Sequence, residues 1–263
     1  MKDKYDFDDL RRIVSVLRSE QGCPWDREQT HETLKPCMVE EAYEVCEAID
    51  IFKETKNSTN LCEELGDVLL QVVMHSQISS EQNDFSLDEV IDGVSKKMIH
   101  RHPHVFEEEA LAPLDSAALN KQWEELKTKE KGQSSLQEEL ESIPRSFPAN
   151  IRALKVKKKA AKYGIEQDDL EGAFERMEES LKMLKKAVNM GKNEGLEETF
   201  GRVMFDVVNI SRFLQLNAEN SLTNYTNKFI NKLIDVEHLA MANGAHLCDM
   251  PIDELNALWE EKK

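Results

Sequence analysis

Met38-Val-Glu-Glu-Ala-Tyr-Glu-Val and Arg176-Met-Glu-Glu-Ser-Leu-Lys-Met share one pattern. Leu61-Cys-Glu-Glu-Leu-Gly-Asp-Val-Leu-Leu-Gln-Val-Val returns as Leu196-Glu-Glu-Thr-Phe-Gly-Arg-Val-Met-Phe-Asp-Val-Val. Lys97 with Lys228, and Trp123-Glu124-Glu125 with Trp259-Glu260-Glu261, hold nearly the same offset, so the copy spans most of each half. A chain that repeats itself in this way folds as two homologous units, each burying its own apolar face. Between them Gly132, Ser134, Ser135, Pro144 and Pro148 crowd into a stretch of turn chemistry. The expected layout is a first domain over residues 1–130, a linker over 131–148 and a second domain over 149–263.

Each unit reads as helical. Apolar residues recur at helical spacing from Leu10, Ile13, Val14 and Leu17 onward. A turn from Gly22 to Asp26 ends the first helix; a second is expected from about Pro36 to Lys53. The polar break at Asn57, Ser58, Thr59 and Asn60 offers caps for a third helix reaching about Ser79. Ser86 with Glu89 forms a capping box for a fourth, which stops near His102 because Pro103 disfavours helix in the residue before it. Another helix is expected around Trp123. With 10 Gly and 7 Pro in 263 residues, the turn-rich signature of a β-sandwich is missing. The expected fold is all-α, two tandem helical bundles.

Charge narrows the partners. A net charge of -17 opposes a polyanionic nucleic acid, which needs a clustered basic face to displace counterions, but leaves small anions open if a metal bridges them. No apolar run approaches the roughly 20 residues that span a bilayer, so no membrane partner is expected. The N-terminal Met-Lys-Asp-Lys-Tyr-Asp-Phe-Asp carries acids and no apolar core segment of a leader. Cys23, Cys37, Cys46, Cys62 and Cys248 are an odd set without Cys-x-x-Cys, which argues against a disulfide framework and a zinc site and suits a reducing cytoplasm.

The acids of the first unit are not scattered. On a helical wheel Met38, Ala42, Val45 and Ile49 make one apolar stripe, with Glu41 and Glu44 on its shoulder roughly 60° apart. The next helix repeats the pattern, with stripe Leu61, Leu65, Val68 and Val72 and shoulder Glu64 and Asp67. Antiparallel packing through the stripes brings four carboxylates to one edge. Like charges at this spacing disfavour a helix by roughly 0.2–0.5 kcal/mol each, so a cation is expected. An all-oxygen site suits Mg²⁺ or Mn²⁺ together with substrate phosphates, the equipment of an enzyme that cleaves a phosphoanhydride.

Acidic pairs also solubilise helices, and the repeat decides between the two readings. The second unit keeps the stripe as Leu196, Phe200, Val203 and Val207, and keeps Gly66 as Gly201. It replaces Glu44 by Lys182, Glu64 by Thr199 and Asp67 by Arg202. The fold does not need the acids, and two charge reversals remove any divalent site from the second unit.

Glu40-Glu41-x-x-Glu44 followed by Glu64-x-x-Asp67 resembles the mark of the MazG family of all-α nucleotide pyrophosphohydrolases. Gly22-Cys-Pro-Trp-Asp-Arg-Glu-Gln-Thr30, Glu63-Glu-Leu-Gly-Asp-Val-Leu-Leu-Gln-Val-Val73, Arg101-His-Pro-His-Val-Phe106 and the Ile143-Pro-Arg-Ser linker extend the resemblance over nearly the whole chain. It implies Mg²⁺-dependent hydrolysis of a nucleoside triphosphate to monophosphate and pyrophosphate by the first half. The metal would be held by Glu41, Glu44, Glu64 and Asp67, with Glu40 and Glu63 supporting the shell or orienting water. It implies Lys97 and Arg101 as phosphate contacts and Trp123 as a nucleotide contact able to stack on a base. The degenerate second half, where Glu179 keeps a ligand position, is left a structural or dimer-supporting role, making a homodimer the expected assembly. Trp25 and Asp26 read as locking their loop, and Pro103 interrupts the cluster of His100, His102 and His104.

Two other classes compete. A di-iron carboxylate bundle needs Glu-x-x-His on its core helices, and the only match is Glu28-x-x-His31 in the Trp-bearing loop. A non-enzymatic helical scaffold would wear the acids as surface charge. Pyrophosphatases acting on phosphoribosyl-ATP or dUTP share the acidic scheme without the MazG segments.

Overall fold

The computed structural model describes residues 2–106, 115, 118–119, 122–123, 126–127, 130, 132–133, 135–165, 169–191 and 195–261. Every regular element among them is helical. The chain divides into two compact units, Met1–Lys127 and Thr128–Lys263.

In the first unit, α1 (Phe7–Leu17) opens on a capping box in which Asp6 and Asp9 satisfy each other's backbone N–H groups. Gly22 then turns the chain so tightly that a Cβ would lie 2.2 Å from the Leu17 carbonyl oxygen. Where a plain turn is expected, a short α2 (Pro24–Glu28) follows, its proline at the first helical position where no N–H is needed. Arg18 fixes this segment: its guanidinium donates to the carbonyls of Asp26 and Gln29 and pairs with Glu81 at 2.8 Å. The Trp25 indole stays exposed.

α3 (His31–Thr55) starts earlier than the expected Pro36, because Thr30 and Thr33 form a capping box that carries the helix through the proline. Lys56 ends it in the left-handed region at φ 60°, and α4 (Thr59–Glu81) begins where the Asn57 side chain accepts from the Thr59 N–H. α3 and α4 form an antiparallel hairpin, since His31 at the start of one meets Ser79 near the end of the other. Packed on α4 are α1 and α5 (Leu87–Arg101), the latter opened by the Ser86 and Glu89 capping box; α6 (Pro103–Phe106) follows.

The core of this unit is Val14, Leu34, Val73, Met74, Ile78 and Leu87. It is displaced from the expected stripes, of which Ala42, Ile49 and Leu65 are exposed. The core gathers at one end of the long hairpin, and the half near the α3–α4 turn is less covered. The acids sit on that half.

The second unit repeats the hairpin. α9 (Leu170–Asn189) packs on α10 (Leu196–Phe213), preceded by α7 (Leu136–Glu141) and α8 (Ala149–Lys162) and followed by α11 (Ala218–Ala242) and α12 (Ile252–Glu261). Within the expected linker, α7 is a capped helix whose Glu139 is 1% exposed and pairs with Lys159 at 2.5 Å and Lys162 at 2.6 Å. Burial raises this carboxyl's pKa, but the two ammonium groups outweigh it and hold it at about 2. That ion pair turns a turn-rich segment into part of the second unit.

Among the described residues, no helix is long and apolar enough to cross a membrane. All five cysteines are free.

Candidate metal centre

Glu41 projects from α3 and Glu64 and Asp67 from α4, and one carboxylate oxygen of each lies within 4.8 Å of the other two. All three residues are half-buried. Among the described residues they are the one such group of three or more acidic, histidine or cysteine side chains. Glu44 borders them from the next turn of α3. Its pKa is raised, first by desolvation, then by the charges of Glu64 and Glu41, a hydrogen bond with Glu41 and the charge of Glu40. Asn60 Nδ2 donates to Glu64 Oε1 at 2.7 Å, orienting that carboxylate. No lysine or arginine among the described residues pairs with any of the four.

Four carboxylates with a neutral amide as their polar neighbour make an oxygen-only donor set of high negative charge. That chemistry fits a hard dication such as Mg²⁺ and suits neither zinc nor copper, which favour imidazole or thiolate. Glu40 and Glu63, each one residue before a member of the trio, are exposed beside it.

On α5, Lys97 is exposed and Arg101 half-buried one turn later. The Arg101 guanidinium lies 5.2 Å from the centroid of the Trp123 ring, and His102 meets the same ring edge-on at 5.0 Å. Glu124 and Glu125, which continue the repeat beyond Trp123, lie outside the described residues. His102 Nδ1 donates to the Met98 carbonyl oxygen at 2.6 Å, so its nearest nitrogen is spent on capping α5.

The second unit shows what the same frame does with one of the four acids kept and three replaced. Glu179, Lys182 and Arg202 are exposed, and the Thr199 hydroxyl turns back onto the carbonyls of Gly195 and Leu196. The cation over tryptophan persists, as Lys232 lies 3.8 Å from the Trp259 ring centroid. Lys232 follows Lys228 as Arg101 follows Lys97, so this contact holds a helix in both units.

One polar group escaped the sequence reading. His31 and His75 join Nδ1 to Nδ1 at 2.8 Å, and Ser79 Oγ reaches His31 Nε2 at 3.1 Å. Nearby, Gln71 is 7% exposed, and its Oε1 has no hydrogen-bond partner among the described residues. The available signal was Gln71 standing alone among apolar residues from Val68 to Met74, with His75, Ser76 and Ser79 after it.

Residues 29–106 match the MazG nucleotide pyrophosphohydrolase domain family. The chain is 42% identical to "Nucleoside triphosphate pyrophosphohydrolase/pyrophosphatase MazG" of Thermotoga maritima, over 98% of this chain and 95% of that protein. It is 34% identical to a nucleoside triphosphate pyrophosphohydrolase of Escherichia coli, over 98% and 97%. It is 38% identical to the uncharacterized protein YabN of Bacillus subtilis, over 98% of this chain and 52% of that protein.

Proposed function

The chain belongs to the MazG nucleotide pyrophosphohydrolase family and is a hydrolase of nucleoside triphosphates, and from that premise we propose that its first unit does the chemistry with Mg²⁺ held by Glu41, Glu44, Glu64 and Asp67. The observation that carries this is the crowding of those carboxylates, which no described lysine or arginine offsets, set against the replacement of three of them by Lys182, Thr199 and Arg202 in the second unit.

Mg²⁺ in such a site offsets the charge of a triphosphate and makes water a stronger nucleophile; Mn²⁺ suits the same donors. The side chains then divide the work. Glu41, the member of the trio on α3, anchors the site, and the exposed Glu40 and Glu63 orient the attacking water and accept its proton. Lys97 and Arg101 bind phosphate oxygens, and Trp123, beneath the Arg101 guanidinium, keeps that group from swinging into solvent. The products are a nucleoside monophosphate and pyrophosphate, which suits regulation or sanitation of a nucleotide pool.

Two further parts of the reading concern setting. We place the protein in the cytoplasm, where its five free cysteines stay reduced. We also assign it a homodimer. Tyr43, Leu65 and Leu69 leave large apolar side chains exposed on the α3–α4 hairpin, and a Cβ at Gly66 would meet nothing within 4 Å. A mid-helix glycine costs about 1 kcal/mol against alanine, and it is repeated as Gly201. A second copy covering these faces accounts for both. Light scattering on the purified chain tests this: Leu69→Glu is expected to give monomers, and a monomeric parent would remove the assignment.

The decisive assay is a panel of canonical and modified nucleoside triphosphates, followed by pyrophosphate release with and without Mg²⁺. Release that needs Mg²⁺ is expected. Equal release in chelator would remove the metal from the reading, and release of orthophosphate alone would remove the bond assignment.

A further inference from the structure

Between the first turns of α3 and the end of α4 lies a groove of about 430 Å³ lined by His31, Glu32, Lys35, Met38, Val39 and His75. Its volume is of the size of small-ligand sites, and the groove lies open to solvent. Met38 is one helical turn before Glu41, and His31 lies roughly 15 Å from Glu41 along the helix axis at 1.5 Å per residue. The groove therefore starts beside the acidic trio and leads away from it.

Its polar end is unusually well defined. The rings of His31 and His75 are parallel to within 3°, with centroids 5.1 Å and Nδ1 atoms 2.8 Å apart. Stacked faces would bring the centroids closer for that nitrogen contact. Rings lying end to end in one plane, joined by a single N–H···N bond, satisfy both distances. Ser79 continues the chain at His31 Nε2. Burial, then the neighbouring His31, pushes the His75 pKa below the usual histidine value, which keeps this ring neutral. Its Nε2 is then the nitrogen left for the groove. It accepts when His75 Nδ1 carries the shared proton and donates when His31 Nδ1 does.

On α4, Asp67, Gln71 and His75 follow at steps of four and share one face. Gln71 is buried, and its amide oxygen is bonded to nothing among the described residues. An orphaned buried acceptor costs free energy, so its retention needs an explanation. The repeat supplies the contrast. The residue matching Gln71 is Asp206, which is 5% exposed and accepts from the Ser180 hydroxyl at 2.6 Å. The residue matching Ser180 in the first unit is Ala42, which has no donor to offer. Continuing the same alignment, Ile210 stands for His75 and Leu214 for Ser79. The hairpin thus folds with apolar residues where the first unit keeps its hydrogen-bond chain. His75 and Ser79 have no polar counterpart in the unit that also lost three of its four acids.

The geometry points to this groove as the seat of the nucleobase end of the substrate, with His75 Nε2 as its polar contact and Met38 and Val39 as its apolar wall. The inference rests on the triphosphate lying at Glu41, Glu64 and Asp67, with the base extending along α3 toward His31. A base has an apolar face and an edge of donors and acceptors, which is what the wall and the exchangeable imidazole match.

The test uses the two products as separate probes of the two ends. Competitive inhibition by each of the four ribonucleoside monophosphates, by ribose 5-phosphate and by pyrophosphate is measured on the full chain and on His75→Ile, which installs the residue of the second unit. The monophosphate constant is expected to weaken about tenfold for at least one base, toward that of ribose 5-phosphate, with pyrophosphate unchanged. Identical monophosphate constants in both proteins, or an equal loss for pyrophosphate, would overturn the proposal. If His75→Ile fails to fold, ¹⁵N-histidine spectra of the parent decide: a monophosphate is expected to move the His75 Nε2 resonance and pyrophosphate to leave it. Movement by both, or by neither, contradicts the inference. A parent that binds monophosphates through His75 but releases no pyrophosphate from triphosphates would sink the hydrolytic reading and leave the groove standing.

Discussion

Glu44 stands where the second unit carries Lys182, and desolvation, then the charges of Glu64 and Glu41, raise its pKa. A side chain in that position opposes the folded state when no cation is present and favours the cation when one is. Glu44→Gln is therefore expected to raise the melting temperature of the metal-free protein while shrinking the further rise that Mg²⁺ gives the parent. Thermal scans in chelator and in excess Mg²⁺ measure both, and a variant less stable than the parent in chelator would show that Glu44 is a structural carboxylate. The acids were legible because the sequence contains its own control, a sister hairpin that keeps the apolar frame and replaces three of the four acids. His31, Gln71, His75 and Ser79 were not, because a bond between residues on two helices depends on the register of the hairpin. No wheel drawn for one helix contains that information.

Helix ends and turns follow local chemistry closely. Ser86 with Glu89 caps α5 as read, and Pro103 follows its end at His102. Pro36 misled because a strong cap at Thr30 outweighs one missing hydrogen bond early in a helix. The stripes misled for another reason: periodicity identifies a face but not how far along a long hairpin its neighbours cover it, so Ile49 and Leu65 remain exposed. Gly22 is the turn residue least open to change. Gly22→Ala pushes a methyl against the carbonyls of Val16 and Leu17 and is expected to cost about 1–3 kcal/mol, read from urea unfolding. No loss would mean the α1–α2 turn relaxes freely. Residues 131–148 held turn residues and a capping box together, and what tips Leu136–Glu141 into the second unit is the distant pairing of Glu139 with Lys159 and Lys162.

For the whole molecule, two units of one architecture carry different dependences on solution conditions. Glu139 has a folded pKa of about 2, below its unfolded value, so its contribution to the second unit is full above the usual carboxylate range. It is lost as pH falls from about 4.5 toward about 2. Glu139→Gln is expected to remove about 3 kcal/mol at neutral pH, because it leaves two lysines without their buried partner. It should also flatten the acid limb of the second unit's stability, and an unchanged limb would assign acid loss elsewhere. Mg²⁺ should stabilise the first unit without moving the second. The measurement that bears most directly on where the chemistry resides is a matched pair of variants, Glu41→Gln and Glu179→Gln, assayed for Mg²⁺-dependent pyrophosphate release beside the parent. Glu41→Gln should lose activity by about a hundredfold or more with its helicity intact, and Glu179→Gln should keep the parent's rate. Activity retained in Glu41→Gln, or lost equally in both, would contradict a single working site built on α3 and α4.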